Sequence, residues 1–191
     1  MTVDDQQLTR YAIAARQGDR AAAAAFVRGT QRQVWQLLRY LTDPRHAEDL
    51  TQDCYVRAFS SLPSFRGDSS ARSWLLAIAR RVAADHLRRR RRRPQQADCA
   101  DWQAAAEHAQ PSEPPDMVEG YALRTALGAL DPDRREAFVL TQVLGLSYEE
   151  TARVCGCRTG TVRSRVSRAR SDLAERLRSA DPPARAVDGD G

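Results

Sequence analysis

Ser147-Tyr148-Glu149-Glu150-Thr151-Ala152-Arg153-Val154-Cys155-Gly156-Cys157-Arg158-Thr159-Gly160-Thr161-Val162-Arg163-Ser164 is the stretch on which the reading of this chain turns. Ser147 and Glu150 occupy the two positions of a capping box, so a short helix opens there and runs to about Val154. Cys155-Gly156-Cys157 makes a tight turn. A basic helix then runs from near Thr159 to about Arg178. A short helix, a glycine-bearing turn and a basic helix form the helix-turn-helix pattern. The basic helix divides cleanly into two faces. Val162, Val166, Ala169 and Leu173 fall at i, i+4, i+7 and i+11, the spacing of a core stripe. Gly160, Arg163, Ser164, Ser167 and Arg168 lie opposite, near the helix N-terminus, which is the end that enters a major groove. Arginine suits bidentate contact with guanine, and serine suits a base edge or a phosphate. Many basic amphipathic helices bind nothing; the turn together with the segregated faces favours DNA here.

Working back along the chain, Asp131-Pro132 starts another helix, with Ala137, Phe138, Leu140 and Thr141 following and Gly145 ending it. Residues 95–118 hold no arginine and five acids, Asp98, Asp101, Glu107, Glu113 and Asp116, together with Pro111, Pro114 and Pro115. That composition, without apolar periodicity, predicts a linker. The tail after Ser179, rich in Pro, Gly and Asp, predicts disorder.

Residues 1–94 are strongly basic, with 18 Arg against 9 Asp and Glu. Asp43-Pro44 supplies an N-cap and a first-turn proline for a helix from about Arg45 to Ser61. Leu50, Cys54 and Ala58 share its apolar face and leave Asp49, Gln52, Asp53 and Arg57 on others. A loop, Leu62 to Ser70, follows, in which Phe65 and Arg66 are unusual for a solvated turn. A second long helix spans about Ala71 to Arg92. Leu75, Ile78, Ala79 and Val82 form its apolar stripe, and Ala77, Arg81, Ala84, Asp85 and Arg88 form an opposite one. This leads into six consecutive arginines, Arg88 to Arg93, ending at Pro94. Six adjacent like charges cost helix stability unless an anion neutralises them. A solvated helix end is the plain reading; phosphate contact is the favoured one.

The fold expected is therefore all-α. Two small helical domains, residues 8–94 and 119–178, are joined by a flexible acidic linker over 95–118, the second contains the helix-turn-helix, and 179–191 form a disordered tail. All 30 basic residues among the 191 are arginine; lysine and asparagine are absent. This excludes a lysine Schiff base and a phosphate-loop lysine. Cys54, Cys99, Cys155 and Cys157 lack paired CxxC spacing, so reduced thiols are expected rather than a metal site. His46, His86 and His108 are scattered, with no nucleophile–base or metal-ligand spacing, so no catalytic residue, metal or cofactor is expected. No apolar run is long enough to span a bilayer, and Met1 to Gln7 does not read as a secretory signal, so the expected compartment is the cytoplasm.

Three motifs resemble the extracytoplasmic-function subfamily of sigma-70 RNA polymerase sigma factors. Ala47-Glu48-Asp49-Leu50-Thr51-Gln52-Asp53-Cys54-Tyr55-Val56-Arg57-Ala58-Phe59 resembles its core-polymerase-binding helix. Phe65-Arg66-Gly67-Asp68-Ser69, with Trp74-Leu75 and Ile78-Ala79-Arg80, resembles its promoter-melting loop and helix. Gly145 to Ala152, with Gly160 to Arg165 and Arg168-Ala169-Arg170, resembles its C-terminal helix-turn-helix. The resemblance implies that Asp49, Gln52, Asp53 and Arg57 contact the polymerase's largest subunit. It implies that Phe65, Arg66, Gly67, Asp68 and Ser69 line a pocket for a base flipped from the minus-ten element, and that Arg80, Arg81, Asp85 and Arg88 track that element. Trp74 is either a core residue or a wedge at the melting fork. Arg163, Ser164 and Arg168, flanked by Arg158, Thr159, Thr161 and Ser167, would read the minus-thirty-five element. Arg158-Thr159 replaces the proline and valine that many members carry, so promoter specificity does not transfer from a relative. The implied partners are core RNA polymerase, through its largest and second-largest subunits, promoter DNA and a possible anti-sigma factor, with no membrane. The acidic linker would lie in the RNA exit path or serve as a plain tether. A helix-turn-helix regulator acting without polymerase is the runner-up, and it leaves the Asp49 to Arg57 helix unexplained; an enzyme is the third reading.

Overall fold

Aspartate and serine caps set the helix starts. Asp19 Oδ1 accepts from Ala22 N at 3.0 Å, Asp43 Oδ1 from Arg45 N at 3.0 Å, and Asp131 Oδ1 from Asp133 N and Arg134 N. At Ser147 both halves of the capping box are made: Glu150 N donates to Ser147 Oγ at 3.1 Å, and Ser147 N to Glu150 Oε2 at 2.8 Å. The computed structural model describes residues 4–92 and 123–180, and all regular structure among them is helical. The first unit comprises α1 (Asp5–Arg16), α2 (Arg20–Leu41), α3 (Ala47–Ser61, preceded by a 3-10 turn, Pro44–His46) and α4 (Ala71–Arg92). The second begins with a helical stretch at 123–128. It continues with α5 (Pro132–Phe138, running into a π-helical turn, Val139–Val143), α6 (Tyr148–Cys155) and α7 (Thr159–Ala180). The expected linker at 95–118 lies outside the described residues, as does Cys99; of the tail expected at 179–191, Ser179 and Ala180 close α7 and the rest lies outside the described residues.

Gly156 ends α6 at φ 66°, the left-handed conformation that an L side chain resists, and so makes the turn of the helix-turn-helix. In α2 the buried residues Phe26, Thr30, Val34, Leu37, Leu38 and Leu41 follow helical spacing. Thr30 Oγ1 lies 2.7 Å from the Tyr55 hydroxyl, fastening α2 to α3. Cys54 and Cys155 are buried and free, and Cys157 is half-buried. Burial pushes the Cys54 thiol up to about 12 and raises that of Cys155 as well, so both are unreactive thiols at neutral pH.

The two units do not stand apart. A single apolar cluster runs from Leu8, Phe26 and Leu75 of the first unit to Leu140, Leu144, Val154 and Cys155 of the second. The seam lies on α4, which packs against α6 as well as against α1, α2 and α3. Helix α4 is accordingly buried on two sides. The expected stripe of Leu75, Ile78, Ala79 and Val82 is buried. Arg72, Leu76, Arg80 and Ala83 recur at i, i+4, i+8 and i+11 to form a second stripe, in which Leu76 is 1% exposed.

Candidate nucleic-acid and polymerase interfaces

Helix α7 buries Val162, Val166 and Ala169 and leaves Leu173 half-buried, as its spacing predicts. Its arginines then separate by what they touch. Arg165 is ion-paired with Asp133, Arg170 donates to Gln142 Oε1 at 2.7 Å, and Arg134 of α5 reaches Asp172 at 2.7 Å. These three contacts tie α7 to the helix behind it. Arg163 and Arg168 are exposed and, among the described residues, have no such contact. Ser164, Ser167 and Arg158 are exposed beside them; Thr159 and Thr161 are half-buried at the helix start. The Ser164 hydroxyl donates to Thr161 O at 2.9 Å, which leaves its lone pairs outward. The result is a cationic, hydroxyl-bearing face at the N-terminal end of a rigidly held helix, the geometry that reads base edges in a major groove.

The loop between α3 and α4 is built on Phe65. This ring is 4% exposed and lies against Trp74, centroid to centroid 4.9 Å at 42°. Arg16 Nη1 donates to Phe65 O at 2.7 Å, and Ala71 N donates to Thr9 Oγ1 at 3.1 Å, so α1 holds both ends of the loop. Phe65 was expected to line a pocket for a flipped base. Instead it lies beneath the loop as part of the core, because its apolar ring buries against Trp74 more favourably than it stays in water. Arg66 and Asp68 are exposed, Ser69 is half-exposed, and Gly67 adopts φ 83° with its Cα facing Ile13. Trp74 is partly buried and packs on the core cluster, between the two roles weighed for it.

Helix α3 exposes Asp49 and Gln52. Beside Gln52 an open groove of about 600 Å³ lies between α2 and α3, lined by Arg32, Trp35, Glu48 and Tyr55 among others. The α3 face also leaves Val56 65% and Phe59 39% exposed. Sequence reasoning set these two aside; exposed apolar side chains next to polar ones at helical spacing were the signal.

Asp53 and Arg57 also bond within the chain. Arg57 bonds Asp53 at 3.0 Å and Asp85 of α4 at 2.7 Å, and Asp85 also pairs with Arg88. Asp85, expected to face DNA, is thus a rivet between α3 and α4 that orients Arg88. Its hydrogen bonds from Arg57 and Arg88 hold its carboxyl below the usual carboxylate range. The stabilisation is therefore present above the ordinary value and lost as pH falls through the lowered one. The variant D85N is expected to cost about 1 kcal/mol at neutral pH, as partly exposed networks do. The gap from wild type in a thermal melt should close as pH falls below about 4.

Arg81 and Arg88 are exposed on α4, and Arg89 to Arg92 continue the exposed charge. Arg80, expected to track DNA, is committed elsewhere: its Nε donates to Glu136 Oε1 of α5 at 2.5 Å. Among the described residues no group of three His, Cys, Asp or Glu is placed to hold a metal, and no helix is long and apolar enough to cross a membrane.

The geometry agrees with comparison to known proteins. Family models for Sigma-70 region 2 and Sigma-70 region 4 match residues 26–93 and 121–173. Over 182 residues, 94% of each chain, this chain is 46% identical to the ECF RNA polymerase sigma factor SigC of Mycobacterium tuberculosis. The chain belongs to the extracytoplasmic-function sigma factors. Among solved structures it is similar to CnrH in complex with the cytosolic domain of CnrY, at TM-score 0.73 and 25% identity, over 92% of this chain and 99% of that one. It is also similar to the sigma factor RpoE of Bartonella quintana in complex with the anti-sigma factor NepR, at TM-score 0.61 and 31% identity, over 78% of this chain and 91% of that one. As a sigma factor of this group it is a transcription initiation factor that directs RNA polymerase to promoters.

Proposed function

We propose a division of labour on this scaffold. The α7 face of Arg163, Ser164, Ser167 and Arg168, with Arg158, Thr159 and Thr161 at its start, reads the minus-thirty-five duplex. Arg66, Gly67, Asp68 and Ser69 receive a base from the minus-ten non-template strand, on a platform held up by Phe65 and Trp74. Arg81 and Arg88, joined by Arg80 when it is released from Glu136, follow the phosphates of that strand. Asp49 and Gln52, with the adjoining α2–α3 groove, meet the largest polymerase subunit; Asp53 and Arg57 hold that surface in shape through Asp85. The protein acts in the cytoplasm, makes and breaks no bonds itself, and is open to control by an anti-sigma factor.

The observation that carries this reading is the sorting of the α7 arginines. Arg165 and Arg170 are bonded to α5 and its π-helical turn, and Arg163 and Arg168, exposed at the groove-entering end, have no such contact among the described residues. Mixing the protein with core polymerase on genomic fragments should give initiation from a defined set of promoters, with footprints over an upstream duplex element and a melted downstream one. Tight binding to the duplex with no dependence on polymerase would favour a plain helix-turn-helix regulator instead.

A further inference from the structure

Two cysteines, Cys155 and Cys157, flank the glycine that turns the helix-turn-helix. Gly156 is at φ 66° and ψ 37°, the mirror image of helical geometry. That sets the Cα atoms of Cys155 and Cys157 about 5.4 Å apart, inside the range of roughly 4.4–6.8 Å that a disulfide spans. The two thiols differ in what surrounds them. Cys155 is buried, and its thiol hydrogen-bonds the Glu136 carboxylate. Cys157 is half-buried, and Arg165 Nη1 donates to its sulfur at 4.0 Å, so negative charge on that sulfur has a cationic partner. Cys157 also packs on the small apolar cluster of Ala137, Ala152, Val162 and Val166, on which α7 sits. Cys157 N donates to Ala152 O at 3.0 Å and Gly156 N to Arg153 O at 3.3 Å, which fixes the turn.

From this arrangement we propose that Cys155 and Cys157 form a peroxide-responsive disulfide that unseats α7 and turns off duplex reading. The proposal rests on the assignment of α7 as the reading helix. Hydrogen peroxide is the oxidant. The Cys157 sulfur attacks one peroxide oxygen; the S–O bond forms as the O–O bond breaks, and the other oxygen leaves as water with the thiol proton. The Cys155 sulfur then attacks the sulfur of the Cys157 sulfenic acid; the S–S bond forms as the S–O bond breaks. Glu136 takes the Cys155 thiol proton and passes it to the departing hydroxide, which leaves as a second water. Two thiols lose two electrons and one peroxide gains them. Burial raises the Cys155 thiol, which keeps it from meeting the oxidant first, and raises the Glu136 carboxyl, which makes it a stronger base than an exposed carboxylate. Closing the bridge draws Cys157 off Arg165 and away from Val162 and Val166, so the helix that carries Arg163 and Arg168 shifts.

The test uses the full chain carrying Cys99→Ser, which leaves Cys54, Cys155 and Cys157. It is treated with hydrogen peroxide, alkylated and cut with trypsin. Cleavage after Arg153 and Arg158 releases Val154 to Arg158 with both thiols on one peptide. That peptide should be unalkylated and two hydrogen masses lighter than the free dithiol, and a dithiol reductant should reverse this. Amide exchange at Gly156 and Cys157 should rise in the oxidised protein. Affinity for the upstream duplex should fall on the order of tenfold, the worth of one misaligned arginine–base contact, and recover on reduction. Cys157→Ser should remove the response to peroxide. Cys155→Ala should stop the reaction at a Cys157 sulfenic acid that dimedone captures. A peptide still alkylated at both cysteines, oxidation of Cys157 past the sulfenic acid without a bridge, or a bridge that changes neither amide exchange nor affinity overturns the proposal. Mass and exchange need no DNA, so a reduced chain that ignores the upstream duplex defeats the α7 assignment while the disulfide is decided separately.

Discussion

Removing Arg163 and Arg168 together should abolish recognition of the upstream duplex while leaving the protein folded. Each guanidinium is exposed and, among the described residues, is committed to no other side chain. A bidentate arginine–guanine contact discriminates by about 1–3 kcal/mol. Loss of two should weaken promoter-duplex binding by roughly a hundredfold or more. The thermal midpoint should stay within a degree or two of wild type, because no buried contact is removed. Arg165→Ala is the contrasting control. It breaks the pairing with Asp133 behind the helix, so it should lower the midpoint and affect DNA only through stability. Gel-shift titrations with intact and scrambled upstream elements, alongside calorimetry, distinguish the two. Equal defects from R163A/R168A and R165A would remove the basis for assigning the reading face.

Phe65→Ala should give the largest loss of stability among changes in the loop that α1 holds. Its ring is 4% exposed and packed on Trp74, and truncation of such a phenylalanine typically costs about 3–5 kcal/mol. For a chain of this size that corresponds to a fall of roughly 6–20 °C in the thermal midpoint. Arg66→Ala and Asp68→Ala should behave in the opposite way. Both side chains are exposed, so the melt should be unchanged, while open-complex formation on double-stranded promoters slows and recovers on pre-melted templates. If Phe65→Ala leaves the midpoint unchanged but blocks opening, the ring faces DNA after all and the platform assignment fails.

The helix-turn-helix could be read in the chain because its signals are local. Ser147 and Glu150 are three residues apart, Gly156 is adjacent to the turn it makes, and Val162, Val166 and Ala169 repeat within one helix. The rivet at Asp85 was hidden because its partner, Arg57, is 28 residues away on another helix, and an acid on a polar stripe looks the same whether it faces solvent or an arginine. The burial of Phe65 was hidden for a related reason: a lone aromatic in a turn-rich loop carries no periodicity to say which way it points. The second stripe of α4 was the least visible. Its members are two arginines, a leucine and an alanine, and a pattern search scores arginine as solvated even where its head group is held by a carboxylate or a carbonyl. The packing between the two units runs through those same residues.

The continuous apolar cluster from Phe26 to Val154 has one more effect. Halves that share a core lose it together, so the chain unfolds as one cooperative unit although it is assembled from two recognition modules. A cavity opened under the loop at Phe65 is then felt by the recognition helix in the other half.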